Sequence, residues 1–502
     1  MRDMNWRIKP LEAILAGAQR KSLPRTLGGF QLMMLGIGAI IGTGIFVLTA
    51  EAAQKAGPGM MISFLVAGFV CAVTALCYAE LASMVPVSGS AYTYTYAVLG
   101  ECVAWVVGWA LALEYMVAAS AVSVGWSNYL VPLLQQGFGL RIPTFLSRGY
   151  FAGGLVNLPA VVIATLATGL LVLGTRESAK VNAVLVCIKI GALTLFVALC
   201  LPVVKLANFH PFAPTGALGV GSAAASVFFA YIGFDAISTA AEETRNPQRN
   251  IPIGLLGSLA VCTLFYLLVA GTAAGSIGAQ PVMDTAGRAL QPGSAELLSA
   301  CQDPLKAVTL VCSDEPLAHV LRQIGWARVS SVIGLAAFVA LPSVILVLIF
   351  AQTRIFFCMA RDGLLPEALT KVHRRFNTPY VITLMTGAIV IVTAALLPVG
   401  KLADLSNGGT LTAFFAVALG VMILRVTERT RPRPFRTPFV WVVGPLALLG
   451  CVGLFSLLPW FTIAAFFTWA LLGLVIYCLY GYRRSALANV GSTRSYTVIR
   501  KQ

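Results

Sequence analysis

Charge is scarce in this chain. Only 11% of its 502 residues are Asp, Glu, Lys or Arg, where a soluble domain carries about a quarter, and 58% are hydrophobic. That balance excludes an ordinary water-soluble globule. Histidine is rarer still, with three copies, His210, His319 and His373, all outside the long apolar runs. No His-Glu-x-x-His, no Gly-x-Ser-x-Gly and no Walker loop occurs, so the ionisable residues form no recognised catalytic set and an intramembrane enzyme is disfavoured. Rings of charge and filter repeats are missing too, which argues against a channel. No cofactor or metal motif is present.

What remains is long apolar runs between short polar stretches. Lipid offers no partner to backbone N–H and C=O groups, so a spanning segment is either a helix or part of a closed barrel. These runs reach about 20 residues, enough for a helix to cross the ~30 Å hydrocarbon core, and do not alternate over about ten residues as barrel strands do. They predict an all-α integral membrane protein with about twelve spans, beginning near Phe30, Met60, Val98, Leu155, Lys180, Ala217, Pro252, Val329, Pro379, Lys401, Phe439 and Trp460.

The formal net charge is +16. The basic residues sit in loops with no aromatic-lined stripe, so the surplus does not indicate nucleic acid. An even number of spans puts both termini on one side, and about 25 Lys and Arg fall on that side against about 9 opposite, with Lys189 inside a span. The positive-inside rule therefore predicts cytoplasmic termini in a cytoplasmic (inner) membrane. Met1 to Leu27 reads as a cytoplasmic tail rather than a signal peptide. The loop from 277 to 328 faces outward, and its Cys301 and Cys312 form either a disulfide or two free thiols in an oxidising compartment.

Two spans are weakened in mid-run. The first carries Gly36, Gly38, Gly42 and Gly44 within nine residues, each costing roughly 1 kcal/mol of helix propensity. The sixth carries Gly233 and Asp235 after Phe228-Phe229-Ala230-Tyr231-Ile232. Each alone reads equally well as a small-residue packing face. Together they occupy corresponding positions if residues 28–202 and 203–426 are inverted five-helix repeats, followed by two additional helices over 427–482 and a tail over 483–502. A first-span break would open a helix N-terminus near Gly44 to a carboxylate, and a sixth-span break would leave carbonyls near Phe229 to Ile232 for an ammonium group.

At these residues the chain resembles the cationic amino acid transporter branch of the amino acid-polyamine-organocation superfamily, as a bacterial member. The matching stretches are LGGFQLMMLGIGAIIGTGIF (27–46), CYAELASMVPVSGSAYTYTY (77–96), FFAYIGFDAISTAAEETRNPQRNIP (228–252) and QTRIFFCMARDGLLP (352–366). The resemblance implies the leucine-transporter type fold and alternating access around a central amino acid. By motif, Ile40, Ile41, Gly42, Thr43 and Gly44 would bind the α-carboxylate, and Phe229, Ala230, Tyr231 and Ile232 the α-amino group. The branch includes carriers of cationic and of small neutral amino acids. Nothing in the sequence assigns a small membrane subunit.

Three ionisable residues fall within spans, where each needs a reason to be there. Lys189 either snorkels to the surface or gains and loses a proton in the cycle. By resemblance it stands where sodium-coupled relatives hold a cation, which favours proton symport over exchange on the same fold. Glu114 relays that proton, meets a cationic side chain, or is a neutral acid bonded to a neighbouring helix. Asp235 caps the inner half of the sixth span or gates it. The eighth span around Phe338 to Val347 is expected to shape the side-chain pocket.

Overall fold

The computed structural model describes residues 7–9 and 27–487 apart from 88, 175–178, 240 and 377. Most of the expected tails, 1–27 and 483–502, lies outside the described residues. Among the described residues, eight helical stretches are long and apolar enough to cross a membrane: Leu48–Met84, Glu101–Gly137, Val181–Val203, Gly216–Ser238, Pro247–Ile277, Ala327–Arg361, Val399–Thr427 and Trp460–Arg484. Four shorter apolar helices, Gly29–Ile40, Leu158–Val172, Tyr380–Leu396 and Val440–Ser456, complete the set. A tight turn at Gly57–Gly59 divides the first stretch, so Leu48–Ala56 continues the first span and Met60–Met84 is the second. Among the described residues β-pairing is confined to three isolated bridges. The chain is all-α, and its helices follow the order read from the apolar runs.

One element was not expected. Ser90–Val98 is a separate short helix, and the third span starts at Glu101 rather than near Val98. The cause is Gly100, at φ +89°, a left-handed position that ends the short helix where the apolar pattern runs on. The N–H groups of Leu99 and Gly100 both donate to the Thr95 carbonyl, at 2.7 and 3.2 Å.

The third span lies at the centre, against the eighth and tenth. The seventh packs on the first and second, the fourth on the ninth, and the eleventh on the tenth. Thus the pairs 2 and 7, 3 and 8, and 4 and 9, each five spans apart, are neighbours. Outward-facing stripes such as Leu65, Phe69, Leu166, Leu449 and Leu471 are more than half exposed. A stripe of that size suits lipid. The twelfth span docks on the third through a reciprocal pair: each of the Trp109 and Trp469 indoles donates to the other residue's carbonyl at 2.9 Å, with ring centroids 4.6 Å apart.

Residues from distant parts of the chain meet at one end of the bundle. Arg7 reaches Glu101 at 3.4 Å and the Tyr482 carbonyl at 2.8 Å, and Lys9 pairs with Asp362 at 2.7 Å. Residues 7–9, the end of the eighth span and the end of the twelfth therefore share a side, as an even number of spans requires. The long loop beyond Ile277 carries the Cys301–Cys312 disulfide, with Cα atoms 5.5 Å apart. First-span Gln54 anchors it, donating to the Val282 and Leu290 carbonyls and accepting from the Val282 N–H, all at 2.8–2.9 Å.

Candidate functional site

Both weakened spans are broken. The first runs helically over Gly29–Ile40, turns extended at Ile41 (φ −72°, ψ 95°) and at Gly42 (φ −143°, ψ −147°), and resumes at Thr43–Phe46 and Leu48–Ala56. Among the described residues, no side chain caps the segment that restarts at Thr43. The sixth runs over Gly216–Val227, tightens into a 3₁₀ turn at Phe228–Tyr231 and turns extended at Ile232 (ψ 139°). It then passes through Gly233 at φ +110° and restarts at Ala236. A side chain at that φ would be strained, and a Cβ there would also press on Ala39 at 3.0 Å.

The two breaks touch. A Cβ on Gly44 would lie 2.3 Å from Ala230 Cα, so only hydrogen fits between the spans at this point. A Cβ on third-span Gly125 would stand 1.9 Å from Thr43 Cγ2, closing the first break from another direction. On the eighth span, Val344 faces Gly42, with both methyls 3.7 Å from where a Cβ would be. Phe338 instead stacks on Trp126, centroids 5.2 Å apart. Ile40, Ile41, Gly42, Thr43, Gly44, Phe229, Ala230, Tyr231 and Ile232 are all buried, and the Thr43 hydroxyl meets no partner among the described residues.

Tyr266 on the seventh span, a residue the sequence reading passed over, joins the breaks. Its hydroxyl lies 3.0 Å from the Ile40 carbonyl and 2.7 Å from that of Ala230, both acceptors freed by the interruptions. Tyr129 similarly donates to the Phe46 carbonyl at 2.7 Å, and Tyr231 to that of Phe64 at 2.9 Å.

The charged residues separate into groups. Lys189 is fully buried and donates to the Gly38 carbonyl at 2.7 Å, so it does not snorkel. Asp235 is fully buried and accepts a hydrogen bond from Tyr115, the residue after Glu114 on the third span. Glu114 is fully buried as well, and neither carboxylate oxygen finds a donor within hydrogen-bond distance among the described residues. Ser406 of the tenth span donates to the Glu114 carbonyl at 3.1 Å.

A further cluster was not read from the sequence. Lys55 pairs with Glu51 at 2.8 Å and with tenth-span Asp404 at 3.7 Å, and it also bonds Ser226, which donates to Asp404 at 2.6 Å. Asn407 adds bonds to the Ala225 and Ser226 carbonyls at 2.8 and 3.3 Å, just before the sixth break. Glu51 and Lys55 four residues apart look like a helix-end pair, and nothing local points to a partner 349 positions away.

Comparison with known proteins follows this geometry. A family model described as amino acid permease matches residues 27–482. The chain is 45% identical to a branched-chain amino acid permease, BcaP, of Bacillus subtilis (strain 168), over 97% of this chain and 100% of that one. It is 41% identical to a methylthioribose transporter of the same organism, over 96% and 99%. It is 34% identical to cationic amino acid transporter 9, chloroplastic, of Arabidopsis thaliana, over 86% and 72%.

Proposed function

Since the chain belongs to the amino acid permease family, a family of multi-span membrane transporters and not of enzymes, we propose that it imports an amino acid by proton symport with alternating access. The observation that carries this reading is the contact between two interrupted helices at Gly44 and Ala230. Backbone groups released in mid-membrane are costly unless something engages them. An amino acid supplies both kinds of partner. Its carboxylate takes the N–H groups at Ile40 to Gly44, and its ammonium the carbonyls at Phe229 to Ile232. Residues 28–202 and 203–426 act as inverted five-helix repeats in this scheme, supported by the packing of spans five apart. The termini are cytoplasmic, in keeping with the distribution of Lys and Arg.

Lys189 is the proposed proton site, because its ammonium holds the inner half of the first span at Gly38. Loss of its proton would leave no positive charge to bind that carbonyl, freeing the half-helix to move. Glu114 is the proposed relay, and Asp235, tied to Tyr115, the proposed cap and gate of the sixth span. For substrate, similarity to a branched-chain permease over nearly the whole chain supports a neutral aliphatic amino acid, with Val344 beside the site. A second reading, a cationic amino acid, is favoured by the buried Glu114 carboxylate, which meets no hydrogen-bond donor among the described residues.

Thermal stabilisation of the purified protein by each of the twenty amino acids and by methylthioribose tests the substrate. Stabilisation by methylthioribose alone refutes the zwitterion site. Counterflow in proteoliposomes with and without a pH gradient then separates symport from exchange. Accumulation that ignores the gradient removes the proton.

A further inference from the structure

Between the end of the tenth span and the start of the eleventh lies a cleft of about 380 Å³, lined by Arg425, Arg436, Thr437, Phe439, Val440 and Trp441 among others. Its walls are fixed by a buried carboxylate on the second span. Glu80, 1% exposed, accepts from Arg425 at 2.9 and 2.6 Å, from Arg433 at 3.1 Å and from the Thr437 N–H at 2.8 Å. The Thr437 hydroxyl adds a bond to the Leu76 carbonyl at 2.9 Å. The connecting segment is thereby held in one shape before any ligand arrives.

The guanidinium groups of Arg425 and Arg433 both bond the single carboxylate of Glu80, leaving one positive charge in excess, and Arg436 in the lining of the cleft adds another. Arg436 is exposed at the rim. The 17-residue helix Val440–Ser456 begins in the wall, so its first turn adds a positive dipole end. An anion is the complement of this cleft.

The surroundings say which anion. Phe439 and Trp441 are 84% and 59% exposed, as aromatic residues are at the headgroup level of a bilayer. From there an exposed stripe of Val442, Leu446, Leu449 and Val452 runs down the helix at three- and four-residue spacing. A soluble phosphate would use the basic rim and leave the stripe idle. We propose that the cleft binds an anionic phospholipid, its phosphate between Arg436 and the first turn of the eleventh span and an acyl chain along Val442 to Val452. On the orientation given above this is the cytoplasmic leaflet, where anionic lipids concentrate. The binding itself does not depend on that orientation or on the substrate.

Native mass spectrometry of the full-length protein, supplied with phosphatidylglycerol or phosphatidylcholine of matched chains, tests it. The wild type should retain the anionic lipid, and Arg436→Gln should lose about fivefold of that retention, as expected for one basic residue near a membrane surface. Adding Trp441→Ala should lower it further, while Arg374→Gln, at a separate basic cluster, should match the wild type. Unchanged retention in Arg436→Gln overturns the site, and equal loss in Arg374→Gln reduces it to general surface charge. Displacement of the lipid by millimolar inorganic phosphate would assign the cleft to a soluble anion instead. A lipid-free melting temperature for Arg436→Gln equal to that of the wild type shows that the variant is folded.

Discussion

Lys189 holds Gly38: an ammonium on the fifth span bonds a carbonyl on the N-terminal half of the first, 2.7 Å away and out of reach of solvent. The link joins the proposed proton site to the helix whose other half contacts the proposed substrate site. Lys189→Ala should keep substrate affinity within about threefold while lowering proton-driven uptake by at least about tenfold, a loss of roughly 1.4 kcal/mol of coupling. Uptake by proteoliposomes with an imposed pH gradient, set beside a binding measurement on the same preparation, checks this. Full concentrative uptake by the variant removes Lys189 from coupling.

Gly44→Ala should impair transport without preventing insertion. The added methyl carbon meets Ala230 Cα at 2.3 Å, a backbone atom that cannot rotate aside. The two breaks must then separate, and the site loses its shape. Uptake should fall at least about fivefold, given that overpacking of this kind costs roughly 1–3 kcal/mol. Normal membrane yield with normal uptake would show that the spans do not need to touch there.

Much of this is legible in the sequence. Span order follows from apolar length, and both breaks follow from glycine and aspartate placed where a membrane helix should be strongest. Tyr266 was not legible, because a tyrosine between Phe265 and Leu267 reads as aromatic packing until its hydroxyl is seen between two freed carbonyls. Neither was the cluster of Lys55, Ser226 and Asp404, whose members come from three spans. The sequence shows where a helix is weak, but which distant side chain compensates depends on how the spans are packed.

Tyr266→Phe isolates the contribution of one hydroxyl. Its ring contacts with Tyr231 and Phe64, at 5.2 and 5.6 Å, are kept, while the Ile40 and Ala230 carbonyls lose their shared donor. Leaving buried acceptors unpaired costs about 1–3 kcal/mol. Substrate affinity should drop about fivefold to a hundredfold, with a lower melting temperature, as read by ligand-dependent thermal unfolding. An unchanged affinity would show that the tyrosine does not shape the site.

Cys301→Ser combined with Cys312→Ser should leave uptake within about twofold. The bridge closes a short loop, for which chain entropy gives about 3 kcal/mol, and that loop is held separately to the first span through Gln54. The effect should appear as faster proteolysis of the loop in the double variant. A large loss of uptake would make the loop part of the transport cycle.

Glu80→Gln should be the most destabilising of these substitutions, and for a reason that belongs to the fold rather than to transport. The buried carboxylate holds Arg425 and Arg433 together with the Thr437 N–H. A neutral amide would leave two guanidinium groups facing each other with their counter-charge gone. Breaking a buried pair in this way costs about 3–5 kcal/mol. Arg425 and Arg433 lie at 9% and 7% exposure, so water can relieve little of the repulsion. The melting temperature of the purified variant should fall sharply, and because the same carboxylate shapes the cleft beside Arg436, its retention of anionic lipid should fall with it. A normal melting temperature would mean that the connecting segment is ordered by its other bonds, those to Leu76 and Ser83.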